Sequence, residues 1–294
     1  MTKKDYLNLI QSLPKLIRLG VSLAVTFSAA TGYIVASRTI ESELFLTLTG
    51  VLLLSGGASA LNQYQERKTD ALMNRTMGRP IPSGKITPLT GLMISLLLCF
   101  SGIVVLFIYA GYTPALLGIF NLIWYNGLYT HLKKKTAFAV VPGSLTGVTP
   151  ILIGWSAAGG NLLNPVIIFI SFFIYMWQIP HFWLLLIRYS DDYKKAGLGS
   201  LSKSLSLNQS KRIVFAWIIG TAITSLLLPY FGIIQSVLLI FILIIATIWV
   251  SISFYRIIFE RSNNNVINLK KAFIELNAFM LVVMLLLILE STGF

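Results

Sequence analysis

The chain has 294 residues, 56% of them hydrophobic and 11% charged, with 23 Lys and Arg against 10 Asp and Glu. No water-soluble domain of this length needs so much apolar material for its core, so a soluble globular fold is excluded and a membrane is the expected solvent. The formal charge of +13 does not indicate a nucleic-acid partner, because the basic residues gather in short connections between apolar runs.

Nine runs have the apolar length for a helical crossing: residues 16–36, 44–61, 89–110, 114–129, 139–158, 165–187, 213–230, 233–255 and 272–289. They are continuous rather than alternating, which favours helices over barrel strands, and a helix satisfies its own backbone groups in lipid. The expected fold is therefore all-α, a polytopic bundle of nine transmembrane helices in one integral-membrane domain, residues 1–294. Lys and Arg number 4 in the N-terminal segment, 5 after the second run, 3 after the fourth, 6 after the sixth and 4 after the eighth, which leaves Arg38 alone on the other side. Positively charged short loops stay inside. The N-terminus is thus expected in the cytoplasm and, after nine crossings, the C-terminus outside. Lys3 and Lys4 precede a full-length span with no small-residue cleavage site, so the first helix is expected to be retained. The single Cys99 lies inside the third run and suits packing.

The two long polar connections, 62–88 and 188–212, are where chemistry is expected. If the second helix continues past residue 61, Asn62, Glu66 and Asp70 recur every four residues and drift only about 40° per step, so three oxygen donors share one face. Such donors suit Mg2+, which takes few protein oxygens and bridges to substrate phosphates. Arg75, Arg79 and Lys85 follow, with prolines at 80 and 82 ending the helical pattern. Arg is suited to bidentate phosphate contact. The bland alternative is a wet helix end with local ion pairs; three donors in register, followed by paired arginines, favour a site.

Further along, Asp191 and Asp192 form a second carboxylate pair among Arg188, Lys194 and Lys195, and are expected to complete a metal set with Asn62, Glu66 and Asp70. Lys133 and Lys134 are candidates for diphosphate contact, although a Lys run also anchors topology. His181 stands in an apolar setting beside Pro180, Phe182 and Trp183, and is as compatible with packing as with a ligand role. Tyr64, Tyr125, Tyr129, Trp177 and Trp183 lie near the polar connections, where aromatic side chains commonly form the interfacial belt.

These motifs resemble the UbiA superfamily of intramembrane prenyltransferases and, within it, the protohaem IX farnesyltransferases. The likeness spans nearly the whole chain: Asn62, Glu66 and Asp70, Met73, Arg75-Thr76, Arg79-Pro80, Tyr129-Thr130, Leu132-Lys133, Gly154-Trp155, Trp177, Pro180-His181-Phe182, Asp192-Tyr193 and Ala196-Gly197. The acidic motif marks the superfamily; the Pro-His-Phe segment and the Arg-Thr to Arg-Pro spacing mark the haem branch. Ser200-Leu201-Ser202 departs from the Met-Leu-Pro usual after Ala-Gly, and Pro150-Ile151 from a common double proline.

The resemblance implies a UbiA-type bundle that moves a farnesyl group from farnesyl diphosphate to haem B in a bacterial-type inner membrane. It implies Asn62, Glu66, Asp70 and Asp192 as catalytic residues, Arg75, Arg79, Lys133 and Lys134 on the diphosphate, and His181, Arg188 and Trp177 on the acceptor. Association with haem A synthesis or terminal oxidase assembly is a partner expectation of the same origin. The competing classes are a transferase acting on a quinone precursor or another aromatic acceptor, and a membrane transporter or haem carrier. Transporters place their charges near the midplane, whereas these carboxylates fall at helix ends.

Overall fold

A computed structural model describes residues 3–199, 205–259 and 265–293, and the described residues are helical without strands. The departure at 200–202 lies outside them. An N-terminal helix α1 (Lys3–Leu16) is followed by α2 (Leu19–Ser37), α3 (Ser42–Asp70) and α4 (Pro88–Val105). After a π-helical turn at Leu106–Ala110 come α5 (Tyr112–Leu122), a second π-helical segment at Ile123–Tyr129, and α6 (Thr130–Lys135). The chain continues through α7 (Val140–Gly143), α8 (Leu145–Ala157), α9 (Pro165–Arg188) and α10 (Ser190–Lys195), then α11 (Leu207–Tyr230), α12 (Val237–Phe259) and α13 (Asn265–Ser291).

The starts of the long helices are written in local chemistry. Thr87 accepts the Thr90 N–H ahead of Pro88, and Asn164 accepts that of Val166 ahead of Pro165. Ser206 and Gln209 form a reciprocal capping box at the start of α11. Proline at the first helical position sacrifices a donor that would be unpaired anyway.

Eight helices among the described residues are long and apolar enough to cross a membrane, against the nine expected. The segment outside that set is the fourth, the helical run 112–135. Asn121, Asn126 and His131 lower its apolarity, and a π-helical stretch runs through its middle. Asn126 earns its place by packing: it is buried, and its Nδ2 donates to Ala58 O and Gln65 Oε1, both at 3.1 Å.

Close backbone approach organises the rest. A Cβ on Gly102 of α4 would meet Leu54 N of α3 at 2.6 Å, and one on Gly57 of α3 would meet Cys99 N of α4 at 2.7 Å. Helices in lipid associate through such small-residue contacts because apolar side chains gain little by leaving apolar surroundings. Gly32 and Gly154 do the same between α2 and α8, where added Cβ atoms would strike Ile151 O and Ala29 O.

The second expected span ends at 61, but α3 runs on to Asp70, so the polar row extends one continuous helix. Asn62, Gln63, Glu66 and Asp70 are all buried. Two hydrogen bonds from Gln63 Nε2, to the carbonyls of Lys15 and Leu16 at 2.9 and 2.8 Å, lock α1 against this end of α3.

Candidate active site

Two members of the row of four-residue steps, Glu66 and Asp70, face a cavity of about 130 Å3 at the end of α3, and the buried Asn62 stands one turn behind them. Glu66 and Asp70 line it with Arg18, Arg75, Arg79 and Lys133, so two carboxylates meet four cations. Tyr125, Tyr129 and Phe182 wall it with rings; Tyr129 stacks on Tyr125 at 6.0 Å and on Phe182 at 5.7 Å between centroids.

Each member of the row has a cation on one oxygen. Arg18 Nη2 donates to Asn62 Oδ1 at 3.4 Å, Lys133 Nζ to Glu66 Oε2 at 2.8 Å, and Arg79 Nη1 to Asp70 Oδ2 at 2.5 Å. Asn62 Nδ2 donates in turn to Thr130 Oγ1 at 3.1 Å, and Thr130 donates to Tyr125 O at 2.8 Å, which fixes the amide's orientation. Burial lowers the Arg79 guanidinium pKa below its ordinary value and the neighbouring charges of Arg18 and Arg75 add to the fall, while Asp70 opposes it.

Glu66 Oε1 and Asp70 Oδ1 are buried with no hydrogen-bond partner among the described residues. Two such orphaned anionic oxygens lining one cavity are hard donors, and they fit Mg2+, which binds through one or two carboxylates and keeps its other positions for water and phosphate.

The second carboxylate pair does not join them. Consecutive residues on a helix point about 100° apart, so the short α10 turns only Asp192 inward. Its Oδ1 and Oδ2 accept the backbone N–H groups of Asn74 and Arg75 at 3.2 and 3.3 Å. Asp191 stands 86% exposed, 3.7 Å from Lys194. Among the described residues no three His, Cys, Asp or Glu side chains come together. Of the five donors expected from sequence to hold a metal, Glu66 and Asp70 share the cavity, whereas Asn62, Asp191 and Asp192 do not line it.

Of the diphosphate candidates, Arg75, Arg79 and Lys133 line the cavity and Lys134 does not. Arg75 donates to Tyr193 Oη at 3.0 Å and lies 4.6 Å from the centre of the Tyr189 ring, which Arg188 also approaches at 5.0 Å. Trp177 and His181 do not line the cavity either. The Trp177 Nε1 donates to Leu276 O at 3.0 Å, and the His181 ring packs between Trp177 and Phe273, each at 4.8 Å, with its Nδ1 buried and unpaired.

Sequence reasoning missed Arg18, which belongs to the N-terminal basic segment and reads there as a topological charge. Its role depends on a left-handed backbone (φ 47°) in the link between α1 and α2, which turns it toward Asn62. No local sequence signal marks that conformation.

The model of the UbiA prenyltransferase family matches residues 24–287 of the chain. This chain belongs to the UbiA prenyltransferase family. It is 37% identical over 228 residues to the protoheme IX farnesyltransferase of Nitratidesulfovibrio vulgaris (strain DP4), covering 78% of this chain and 79% of that one. It is 36% identical over 217 residues to the protoheme IX farnesyltransferase of Geobacter sulfurreducens, covering 74% and 80%. Among solved structures, a digeranylgeranylglyceryl phosphate synthase superposes with a TM-score of 0.76 at 18% identity, covering 97% of this chain and 99% of that one. A UbiA homologue from Archaeoglobus fulgidus, bound to GPP and Mg2+, superposes with a TM-score of 0.69 at 14% identity, covering 94% and 99%. The all-α bundle is thus the UbiA fold, and the chain is a membrane prenyltransferase by family.

Proposed function

We propose that this chain transfers the farnesyl group of farnesyl diphosphate to a vinyl carbon of haem B, giving haem O and diphosphate. The observation that carries the reaction class is the pair of buried carboxylates, Glu66 and Asp70, set among four cations in a cavity walled by aromatic rings. Haem B as acceptor is supported by the 36–37% identity to relatives named protoheme IX farnesyltransferase.

Mg2+ would be held by Glu66 and Asp70 with Asn62 as a third oxygen donor, and when bound it supplies positive charge to the leaving diphosphate. Arg18, Arg75, Arg79 and Lys133 hold the diphosphate oxygens and stabilise the negative charge that grows as the carbon–oxygen bond ionises. Tyr125, Tyr129 and Phe182 exclude water and offer ring faces to the allylic cation, each worth about 2 kcal/mol when desolvated. The vinyl π electrons attack the farnesyl C1. Water then adds to the neighbouring carbon and loses a proton, which completes the hydroxyethylfarnesyl side chain. Asp192 positions Arg75, and we assign Arg188 to a haem propionate, with His181 and Trp177 toward the macrocycle and Lys134 to the outer diphosphate edge. One membrane domain, residues 1–294, carries all of it.

The distribution of Lys and Arg supports a cytoplasmic N-terminus, and the likeness to bacterial protoheme IX farnesyltransferases supports a bacterial-type inner membrane. The run 112–135 begins beyond the span that leaves the site end and delivers Lys133 back to Glu66. Counted as a ninth crossing, it puts the C-terminus outside. Haem A synthesis and terminal oxidase assembly would consume the product, and association with either belongs to the same proposal.

Membranes holding the chain, incubated with farnesyl diphosphate, Mg2+ and haem B, should yield haem O by chromatography and mass. Diphosphate release without haem O would overturn the acceptor but not the transfer; neither product would overturn the enzyme.

A further inference from the structure

Each oxygen donor of the row is held by a cation from a different part of the chain: Arg18 from the α1–α2 link, Lys133 from α6 and Arg79 from the loop 71–87. Glu66 and Asp70 are 4% and 1% exposed. Carboxylates buried this deeply need a counter-charge to stay ionised, and here Lys133 and Arg79 provide it. The same cations line the cavity that a diphosphate would enter. The other carboxylate oxygens, Glu66 Oε1 and Asp70 Oδ1, are buried without a hydrogen-bond partner among the described residues.

We propose that Arg18, Lys133 and Arg79 are place-holders for the metal, so that metal and diphosphate bind as a coupled pair rather than independently. The proposal rests on reading this cavity as the diphosphate site and adds to it the linkage between the two ligands and a role for Arg18. A divalent ion arriving alone meets carboxylates already neutralised and adds charge to a cavity with four cations against two anions. A diphosphate arriving alone competes with Glu66 and Asp70 for Lys133 and Arg79. Together they exchange partners: the diphosphate draws off the cations and the metal takes the carboxylates. Such linkage is reciprocal by thermodynamic necessity.

The test is equilibrium dialysis of the full chain in detergent micelles against radioactive Mn2+, with and without inorganic diphosphate at equal total concentrations in both chambers. Mn2+ should bind at least about tenfold tighter with diphosphate, within the 5–150-fold range usual for coupled sites, and labelled diphosphate should gain the same factor from Mn2+. Lys133→Met and Arg79→Met should shift the two ligands in opposite directions. Mn2+ alone binds more tightly, because a buried carboxylate has lost its counter-charge, while diphosphate alone binds more weakly. Arg18→Gln strips no carboxylate of its partner and should lower the coupling factor several-fold, which keeps the test alive if the other variants misfold. Equal Mn2+ affinity with and without diphosphate in the wild-type chain overturns the coupling and leaves the cavity assignment standing. A folded Lys133→Met chain that binds Mn2+ less tightly overturns the place-holder role. Absence of Mn2+ and diphosphate binding under every condition overturns the cavity assignment itself.

Discussion

Asp192 Oδ2 accepts the backbone N–H of Arg75 at 3.3 Å, while the neighbouring Tyr193 hydroxyl takes the Arg75 guanidinium at 3.0 Å. Two consecutive residues of α10 therefore hold both ends of one arginine that lines the cavity. The loop 71–87, which carries Arg75 and Arg79, is tied to a helix more than a hundred residues later in the chain.

The two adjacent aspartates should consequently behave differently. Asp192→Asn turns one accepting oxygen into an NH2 group facing a backbone N–H, a loss of about 1–3 kcal/mol, and it should lower kcat/KM by at least about tenfold through the mispositioned Arg75. Asp191→Asn removes only an exposed pair with Lys194, of the kind worth about 0–1 kcal/mol, and should change turnover by less than about twofold. Steady-state haem O formation by the two variants, at matched protein levels, checks this. Equal losses in both would mean that Asp191 also reaches the substrate.

Asp70→Ala should reduce turnover by at least about 100-fold, the scale seen when a preorganised charge-stabilising group is removed, with the protein still inserted in the membrane. Asp70 is 1% exposed and bound to Arg79 at 2.5 Å, so removing its carboxylate also leaves Arg79 unpaired. Breaking a buried pair this way costs about 3–5 kcal/mol of stability. Insertion is therefore to be checked by membrane fractionation beside the assay. Wild-type activity in a correctly inserted variant would remove Asp70 from the site.

Tyr129 separates the work of a ring face from that of a hydroxyl. It stacks on Phe182 and Tyr125, and Lys133 Nζ lies 5.4 Å from its centroid. Tyr129→Phe keeps the π surface and should retain most of kcat. Tyr129→Leu loses a contribution of about 2 kcal/mol to a desolvated cation and should fall about 30-fold in kcat at similar KM for farnesyl diphosphate. Equal activity of the two variants would indicate that Tyr129 only fills space.

The extent to which this site is legible in the sequence follows from how local each signal is. Asn62, Glu66 and Asp70 declare themselves because a helix turns spacing into a shared face, and α3 carries that face without interruption to Asp70. Arg75, Arg79 and Lys133 are legible as chemistry, though their partners depend on which helices meet. Asp191 and Asp192 look equivalent in sequence because the inward direction of a six-residue helix is set by tertiary contacts. Arg18 is hidden for the complementary reason: its charge has a sufficient explanation in topology, and only a left-handed backbone at one position turns it inward. The run 112–135 shows the same limit at the level of the fold, since Asn126 lowers its apolarity while the hydrogen bonds that satisfy Asn126 lie on α3.

The contact between α3 and α4 gives the last prediction, because it connects packing to chemistry. Gly102 sits where a Cβ would meet Leu54 N at 2.6 Å and Gly50 O at 2.9 Å, both backbone atoms that no rotamer change can move aside. Gly102→Val should push the helices apart and cost about 1–3 kcal/mol or more, the usual range for overpacking, seen as a lower midpoint of thermal unfolding in detergent. Since α3 carries Glu66 and Asp70 at its far end, activity per folded molecule should fall as well, although Gly102 touches no part of the cavity. Leu97 is 64% exposed on the same α4, so Leu97→Val serves as a control with an unchanged midpoint and unchanged activity. If Gly102→Val matched that control, the helices would tolerate a wider separation than this contact implies, and the placement of the carboxylate row would not depend on it.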